Sequence, residues 1–359
     1  MVASILLFEV RQRLRRISTY IYFVVFFALG FLFVNLAGGA LPGGSVDFGT
    51  GGKVLLNSPF ALMLIITYVS FYGVIITAAL AGQATYQDID HNCAAFFYTA
   101  PISKFDYLGG RFLGSIVVQL LIFSSVGLGT WVGTHMPWLD RTRFGPENFL
   151  GYLQPYFVLV LPNLFFTTAI FFAIAVLARK MLPVYVGSVL LLVGYFAAAQ
   201  LSNNPIVTPL AALADPFGAN AFGRITQYWT PFERNTRLIP LAGILLANRA
   251  LWIGVGIVIL GVAYSRFSFA RALSVGKRRQ QADTQEIETF VPAARLLPVV
   301  HPVFSLGASF GQLVSFTRLQ FTETVKNVFF VVLVFSGYLL AVLTASDVTD
   351  PISDRKSVV

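Results

Sequence analysis

The densest group of reactive side chains is Asp88, Asp90, His91 and Cys93. Carboxylate, imidazole and thiolate are all metal ligands, so a bound transition metal is one chemistry they could supply. Their spacing matches no common metal pattern, and a solvated, partner-facing loop fits it better. His135 and His301 are too scattered for a local zinc site. Cys93 is the single cysteine, which excludes an intrachain disulfide and any multi-cysteine metal centre. Lys53 and Lys277 each follow glycine. Neither has the upstream glycine spacing or the following Ser/Thr of a phosphate-cradling loop. No His-Glu-x-x-His pattern occurs. The chain is therefore expected to carry no cofactor and no enzymatic activity of its own, and any ATP it uses must be bound by a partner.

These residues sit in a chain of 359 that is 56% hydrophobic and 11% charged, with mean hydropathy +0.74. Soluble domains carry about 25% charged residues. So few charges cannot give this much apolar chain a water-facing surface, and the apolar residues come in long runs, which makes lipid the solvent. A spanning helix needs about 20 apolar residues. The runs 18–36, 60–82, 112–133, 155–178, 183–201, 250–267 and 327–345 qualify, with a kink expected at Pro162 in the fourth. The first run is too long for a cleaved signal peptide and is read as an anchor. The net charge of +9 does not point to nucleic acid, because no basic domain outside the membrane could bind it. The cations lie between the runs instead. Arg11, Arg13, Arg15, Arg16, Lys104, Arg111, Arg179, Lys180 and most of the later ones fall on one side, which makes the N-terminus cytoplasmic.

Over 1–17, Ile5, Leu6, Phe8 and Leu14 alternate with Glu9, Arg11, Arg13, Arg15 and Arg16. That pattern fits an interfacial amphipathic helix on the cytoplasmic lipid surface; a plain orienting charge cluster is the alternative. Six spans then make a domain over 18–267. Between the second and third spans, 83–111 is polar, turns apolar at 94–98 and breaks at Pro101, which suits a short amphipathic helix ending before the proline. The 202–248 loop reads as ordered turns with a short helix. Residues 268–305 read as an exposed cytoplasmic linker, strongly charged over 277–288. Amphipathic character returns over 306–324. The segment from Tyr22 to Leu32 aligns with that from Phe329 to Leu339, matching Gly30 with Gly337 and Arg11 with Arg318. On that reading 306–359 begins a second, incomplete half, and two-half architectures are usual in transporters. The mid-span polar groups, Gln119, Asn163, Thr167, Thr168 and Ser188, are mild and suit contacts between helices. Mid-membrane ionisable groups, which an ion-coupled carrier or an intramembrane protease needs, are almost absent.

The stretch Tyr86-Gln-Asp-Ile-Asp-His-Asn-Cys-Ala-Ala-Phe-Phe-Tyr-Thr-Ala-Pro-Ile-Ser-Lys-Phe-Asp-Tyr-Leu-Gly-Gly-Arg resembles the first cytoplasmic loop of type-2 ABC transporter permeases. Asp88, Pro101, Ser103, Lys104, Tyr107, Gly110 and Arg111 sit at the places of that pattern. The resemblance implies a coupling helix that docks on a cytoplasmic ATP-binding subunit, with Phe96, Phe97 and Tyr98 as apolar anchors, although these aromatics suit a lipid surface as well. It also implies an all-α integral membrane fold: a six-span helical bundle with an N-terminal amphipathic elbow helix, plus a seventh span. Such a chain would be an exporter permease of a bacterial inner membrane. Its partners would be an ATP-binding subunit, a second permease half or a second copy, and membrane lipid. Asp215-Pro-Phe-Gly, Tyr228-Trp-Thr, Glu233-Arg-Asn, Pro240-Leu-x-Gly and Asn248-Arg resemble a narrower group, large bacterial permeases in which two membrane halves precede a zinc aminopeptidase-like domain. This chain carries no peptidase motif. A membrane anchor or scaffold for a fused or associated peptidase, and an ion-coupled carrier, are the alternatives.

Overall fold

The structure, a computed structural model, describes residues 1–40, 48, 53–90, 93, 101–201, 208–268 and 306–326. Among them the regular elements are all helical. In chain order they are α1 (Val2–Leu14), α2 (Ile17–Ala37), α3 (Pro59–Phe71), α4 (Val74–Asp90), α5 (Lys104–Thr134), α6 (Phe149–Ala178) and α7 (Met181–Leu201). Short helices α8 (Thr208–Ala214), α9 (Ala219–Thr226) and α10 (Pro231–Thr236) follow, then α11 (Gly243–Arg266) and α12 (Leu306–Lys326). The chain divides into two units, Met1–Ser188 with Ala197–Phe267, and Val189–Phe196 with Ser268–Val359. Of the second, Val189–Phe196 within α7 and helix α12 are described; in α12, Phe310, Leu313, Phe316 and Phe321 are exposed. The expected span at 327–345 and nearly all of the expected linker lie outside the described residues.

Helices α2, α5, α6 and α11 are long and apolar enough to cross a membrane, and α3 with α4 makes a fifth span if the pair, bent by 53°, is taken as one. Helix α7 contributes a shorter apolar stretch, Met181–Phe196. Among the described residues the fold is thus all-α and compatible with an integral membrane protein, with four or five membrane-capable helices. Burial sorts them into layers. The most apolar windows of α5 and α6 are 67% buried, against 22% for α2 and α11. Helix α5 receives α1 and α2, while α6 receives α4 and α11. Helix α2 is apolar all round, so once one stripe meets α5 the rest suits lipid.

Small residues allow the α2–α5 contact. A Cβ on Gly129 would lie 2.0 Å from the Phe27 carbonyl oxygen, and one on Gly30 2.4 Å from that of Val126. The two backbones touch, as they do where small residues line helix interfaces in lipid. Phe26, Ile65, Ile122, Phe123 and Val126 fill the core beside this contact, with the Phe26 and Phe123 rings 4.8 Å apart.

Two irregularities shape the bundle. Helix α3 starts on an ordinary cap, the Ser58 hydroxyl accepting from the Ala61 N–H with Pro59 next to it. It stops short at Tyr72-Gly73, where a side chain on Gly73 would strike the Phe123 ring. In α6, the strain expected at Pro162 is taken up by a π turn at Tyr156–Val160. Proline at that place would clash with the carbonyl four residues back, and the wider turn relieves the clash. Tyr156 uses its position to reach α5: its hydroxyl donates to the Phe123 carbonyl at 3.1 Å and accepts the Gly127 N–H at 2.8 Å. Those two groups are ladder partners four residues apart, so the phenol is inserted into the helix.

At the end of the bundle that holds α9 and α10, side-chain amides tie the connections together. Asn57 and Gly145 exchange two bonds of 2.8 Å. Gln154 donates to the Ile239 carbonyl at 2.6 Å and accepts its N–H at 3.0 Å. Asn235 binds the Leu55 N–H and the Lys53 carbonyl. The 202–248 segment is therefore more helical than its sequence suggests, holding α8, α9 and α10. Within it, Thr230 and Glu233 form a reciprocal capping box, and its hydrogen bonds hold the Glu233 carboxyl below the usual carboxylate range.

Gly129→Ala is expected to lower stability by about 1–3 kcal/mol, since the added methyl must push two backbones apart. Gly109→Ala, where a Cβ meets nothing within 4 Å, serves as the control and should change stability by less than about 1 kcal/mol. Thermal unfolding of the detergent-solubilised protein measures both.

Candidate functional site

The site is a buried group of charges where α1, α4 and α5 meet. Helix α4 carries Asp88 in its last turn. Helix α5 begins at Lys104 on the Ser103 cap, whose hydroxyl accepts the Asp106 N–H at 3.0 Å and donates to the Asp106 carboxylate at 2.6 Å. The helix then places Tyr107 and Arg111 one turn apart, on one face. Arg111 is fully buried, and its Nη2 donates to both oxygens of Asp88 at 2.7 and 2.6 Å. Its Nη1 donates to Glu9 of α1. The Tyr107 hydroxyl donates to the same Asp88 carboxylate at 2.8 Å. The Arg111 guanidinium also lies 5.6 Å from the Phe8 ring centroid.

A second cation completes the group. Arg13, one turn after Glu9, donates its Nε to the other Glu9 oxygen and its Nη2 to the Leu80 carbonyl at 2.7 Å. Burial pushes the Arg13 guanidinium below its ordinary pKa, and Glu9 pulls it back. Two carboxylates thus face two guanidiniums with no net charge. Around them, Arg16 donates to Gln87 at 2.8 Å, and the Thr19 hydroxyl donates to the Arg13 carbonyl at 2.7 Å. The close approach of α1 depends on two glycines of α5. A Cβ on Gly110 would lie 2.7 Å from that of Ile5, and one on Gly114 would lie 2.8 Å from that of Glu9. Gly110 and Gly114 form the groove in which Glu9 reaches Arg111.

Of the residues singled out in the sequence, Asp88, Tyr107 and Arg111 therefore converge. Lys104 points elsewhere, donating to the Phe267 carbonyl after α11 at 2.9 Å, and Tyr107 stacks on the Phe267 ring at 5.9 Å. Ser103 is a helix cap and Pro101 is exposed beside it. Phe96, Phe97, Tyr98 and the short helix expected before Pro101 lie outside the described residues. So does His91. Among the described residues no three His, Cys, Asp or Glu side chains are placed to share a metal ion; Asp90 accepts from the Tyr86 hydroxyl at 3.0 Å.

Sequence reasoning did not reach Glu9 and Arg13. They were assigned to the polar side of an interfacial helix. In the structure that side is divided: Glu9 and Arg13 turn inward and are buried, while Arg11 and Arg15 stay exposed. Leu7 and Phe8 are 65% and 48% exposed. The available signal was the Glu-Arg spacing of four residues on one helix face.

The mid-span polar groups bond within and between helices. Thr168 of α6 donates to Gln119 of α5 at 3.0 Å, and Gln119 donates to Ser115 at 2.9 Å. A further polar knot joins α11 to α6. Asn248 donates to the carbonyls of Ala212 and Asp215, and Arg249 donates to Asn163 at 2.6 Å and to the Pro216 carbonyl at 3.3 Å. The Asp215 carboxylate accepts the N–H groups of Phe217 and Asn220. The Asp215-Pro-Phe-Gly and Asn248-Arg motifs, far apart in sequence, are thus one contact. No protein-family model matches the chain, and no curated protein matches it.

Arg111→Met strands two buried carboxylates and is expected to cost about 3–5 kcal/mol. Tyr107→Phe removes one neutral donor and should cost about 1 kcal/mol. Chemical denaturation of the purified protein should rank them in that order; equal effects would mean that the charges are not sealed from water.

Proposed function

We propose that this chain is the permease subunit of a type-2 ABC transporter, working as an exporter with a separate cytoplasmic ATP-binding subunit. Helix α1 is then the elbow helix. The six spans are α2, the α3–α4 pair, α5, α6, α7 and α11, with a seventh at 327–345. The N-terminus is cytoplasmic, the membrane is a bacterial inner membrane, and a second permease half or a second copy completes the path. The observation that carries this reading is Arg111 bridging Asp88 and Glu9. It ties both flanks of the 91–100 segment to α1, and Lys104 ties the same place to the end of α11. A partner that closes on ATP and pushes on 91–100 would move α4 and α5 directly. It would move α1 and α11 through these bonds, because rigid helices joined by buried hydrogen bonds transmit displacement. Phe96, Phe97 and Tyr98 are the anchors for that partner, as aromatics often are at interfaces.

Pull-down of the tagged chain from native membranes is the test. An ATP-binding subunit should co-purify, and Phe96, Phe97 and Tyr98 changed together to Asp should release it while the chain stays in the membrane. If no ATP-binding subunit associates, the reading fails. A peptidase recovered in its place would support the scaffold role, and transport that persists without ATP but collapses with the proton gradient would support an ion-coupled carrier.

A further inference from the structure

A small cavity lies beside the break between α3 and α4. Its polar lining comes from Thr67 and Ser70 of α3, Thr77 of α4, and Asn163 and Thr167 of α6, and Phe217 forms one wall. The centre of a water-sized sphere has about 20 Å³ to move in. A water-sized sphere itself occupies roughly 10–15 Å³, so the space admits water.

The hydrogen bonding of this lining is incomplete. Thr67 Oγ1 and Ser70 Oγ are buried and have no hydrogen-bond partner. They lie three residues apart, on the same face of α3. Helical Thr and Ser often donate to a carbonyl one turn back, but these two do not. Of the other polar groups, Asn163 donates to the Phe217 carbonyl at 3.2 Å and accepts from Arg249, and Thr167 donates to the Asn163 carbonyl at 2.7 Å. A buried hydroxyl left without a partner costs about 1–3 kcal/mol, so two at one cavity ask for an occupant. The enclosed space is of the size of water. No carboxylate lines the space, and the Asn163 amide oxygen already faces a guanidinium, which disfavours a cation. The helix break gives an independent reason. Interrupted helical backbone inside a bilayer is tolerated where it is buried in protein or borders water.

We infer that this cavity is a binding site for water, held by the Thr67 and Ser70 hydroxyls at the bend of the α3–α4 pair and exchanging with the bulk. The inference does not depend on which solute the protein moves or on an ATP-binding partner.

Thiol reactivity tests it, because a thiolate forms only where water reaches. In a Cys93→Ser background, Thr67→Cys and Ser70→Cys are each treated in membranes with a small methanethiosulfonate. The reference is Ile66→Cys, on the same helix at a fully buried apolar position. The cavity positions should react at least tenfold faster than the reference; rates equal to it would overturn the inference. Hydrogen–deuterium exchange gives a second measurement without introduced cysteines. The combined Thr67→Val and Ser70→Ala change should slow amide exchange across 70–77 at least tenfold, and unchanged exchange would also overturn it.

Discussion

A guanidinium taken out of water costs several kcal/mol unless carboxylates and further hydrogen bonds replace its hydration. Arg111 is fully buried, and its replacements come from two other helices, Asp88 of α4 and Glu9 of α1. The constraint works in both directions. Asp88 and Glu9 are themselves buried, so each needs the guanidinium as much as it needs them. Arg13 then balances the second carboxylate. Because no member can leave without stranding another, α1, the end of α4 and the start of α5 behave as one piece.

The rest of the packing accommodates that piece. Gly110 and Gly114 open the groove that lets α1 lie close, and Gly129 does the same for α2 farther along α5. Helix α5 is therefore lined with small residues on the side that receives both N-terminal helices. On its other side it is joined to α6 by Thr168–Gln119 and by the inserted Tyr156 hydroxyl. Helix α6 in turn holds α11 through Asn163 and Arg249. In lipid, apolar side chains gain little by leaving their solvent, so close backbone contact and hydrogen bonds of this kind set the arrangement.

Much of this was legible as runs and little of it as contacts. The apolar run 18–36 and helix α2 agree to within a residue at each end. The runs starting at 112 and 250 began too late, because hydropathy stops at the first charge. Helices α5 and α11 start earlier, at Lys104 and Gly243, and so hold Arg111 and Arg249 inside regular, buried structure. Asp88 stands out in the acidic group over 88–93 and Arg111 among the orienting cations, and a family pattern adds Tyr107, but none of these signals says that the three touch. Glu9 has a local partner in Arg13, one turn on, but what buries the pair is Arg111, 102 residues away. The four-residue spacing marks an ion pair on one helix face and carries no sign that this face is covered. The break at Tyr72-Gly73 lies inside an unbroken apolar run, and the ring that leaves room for glycine alone at 73, Phe123, is on another helix.

The amide clamps at the far end have a different consequence. Asn57 with Gly145, and Gln154 with Ile239, each close a two-bond ring in which a side chain copies the pairing of adjacent β-strands. None of these groups titrates, and none carries a charge that salt can screen. The two ends of the bundle are therefore built to respond to different variables. The ionic end is held by charges that depend on one another, whereas these two amide pairings at the other end are indifferent to pH and to ionic strength and yield only to mechanical separation.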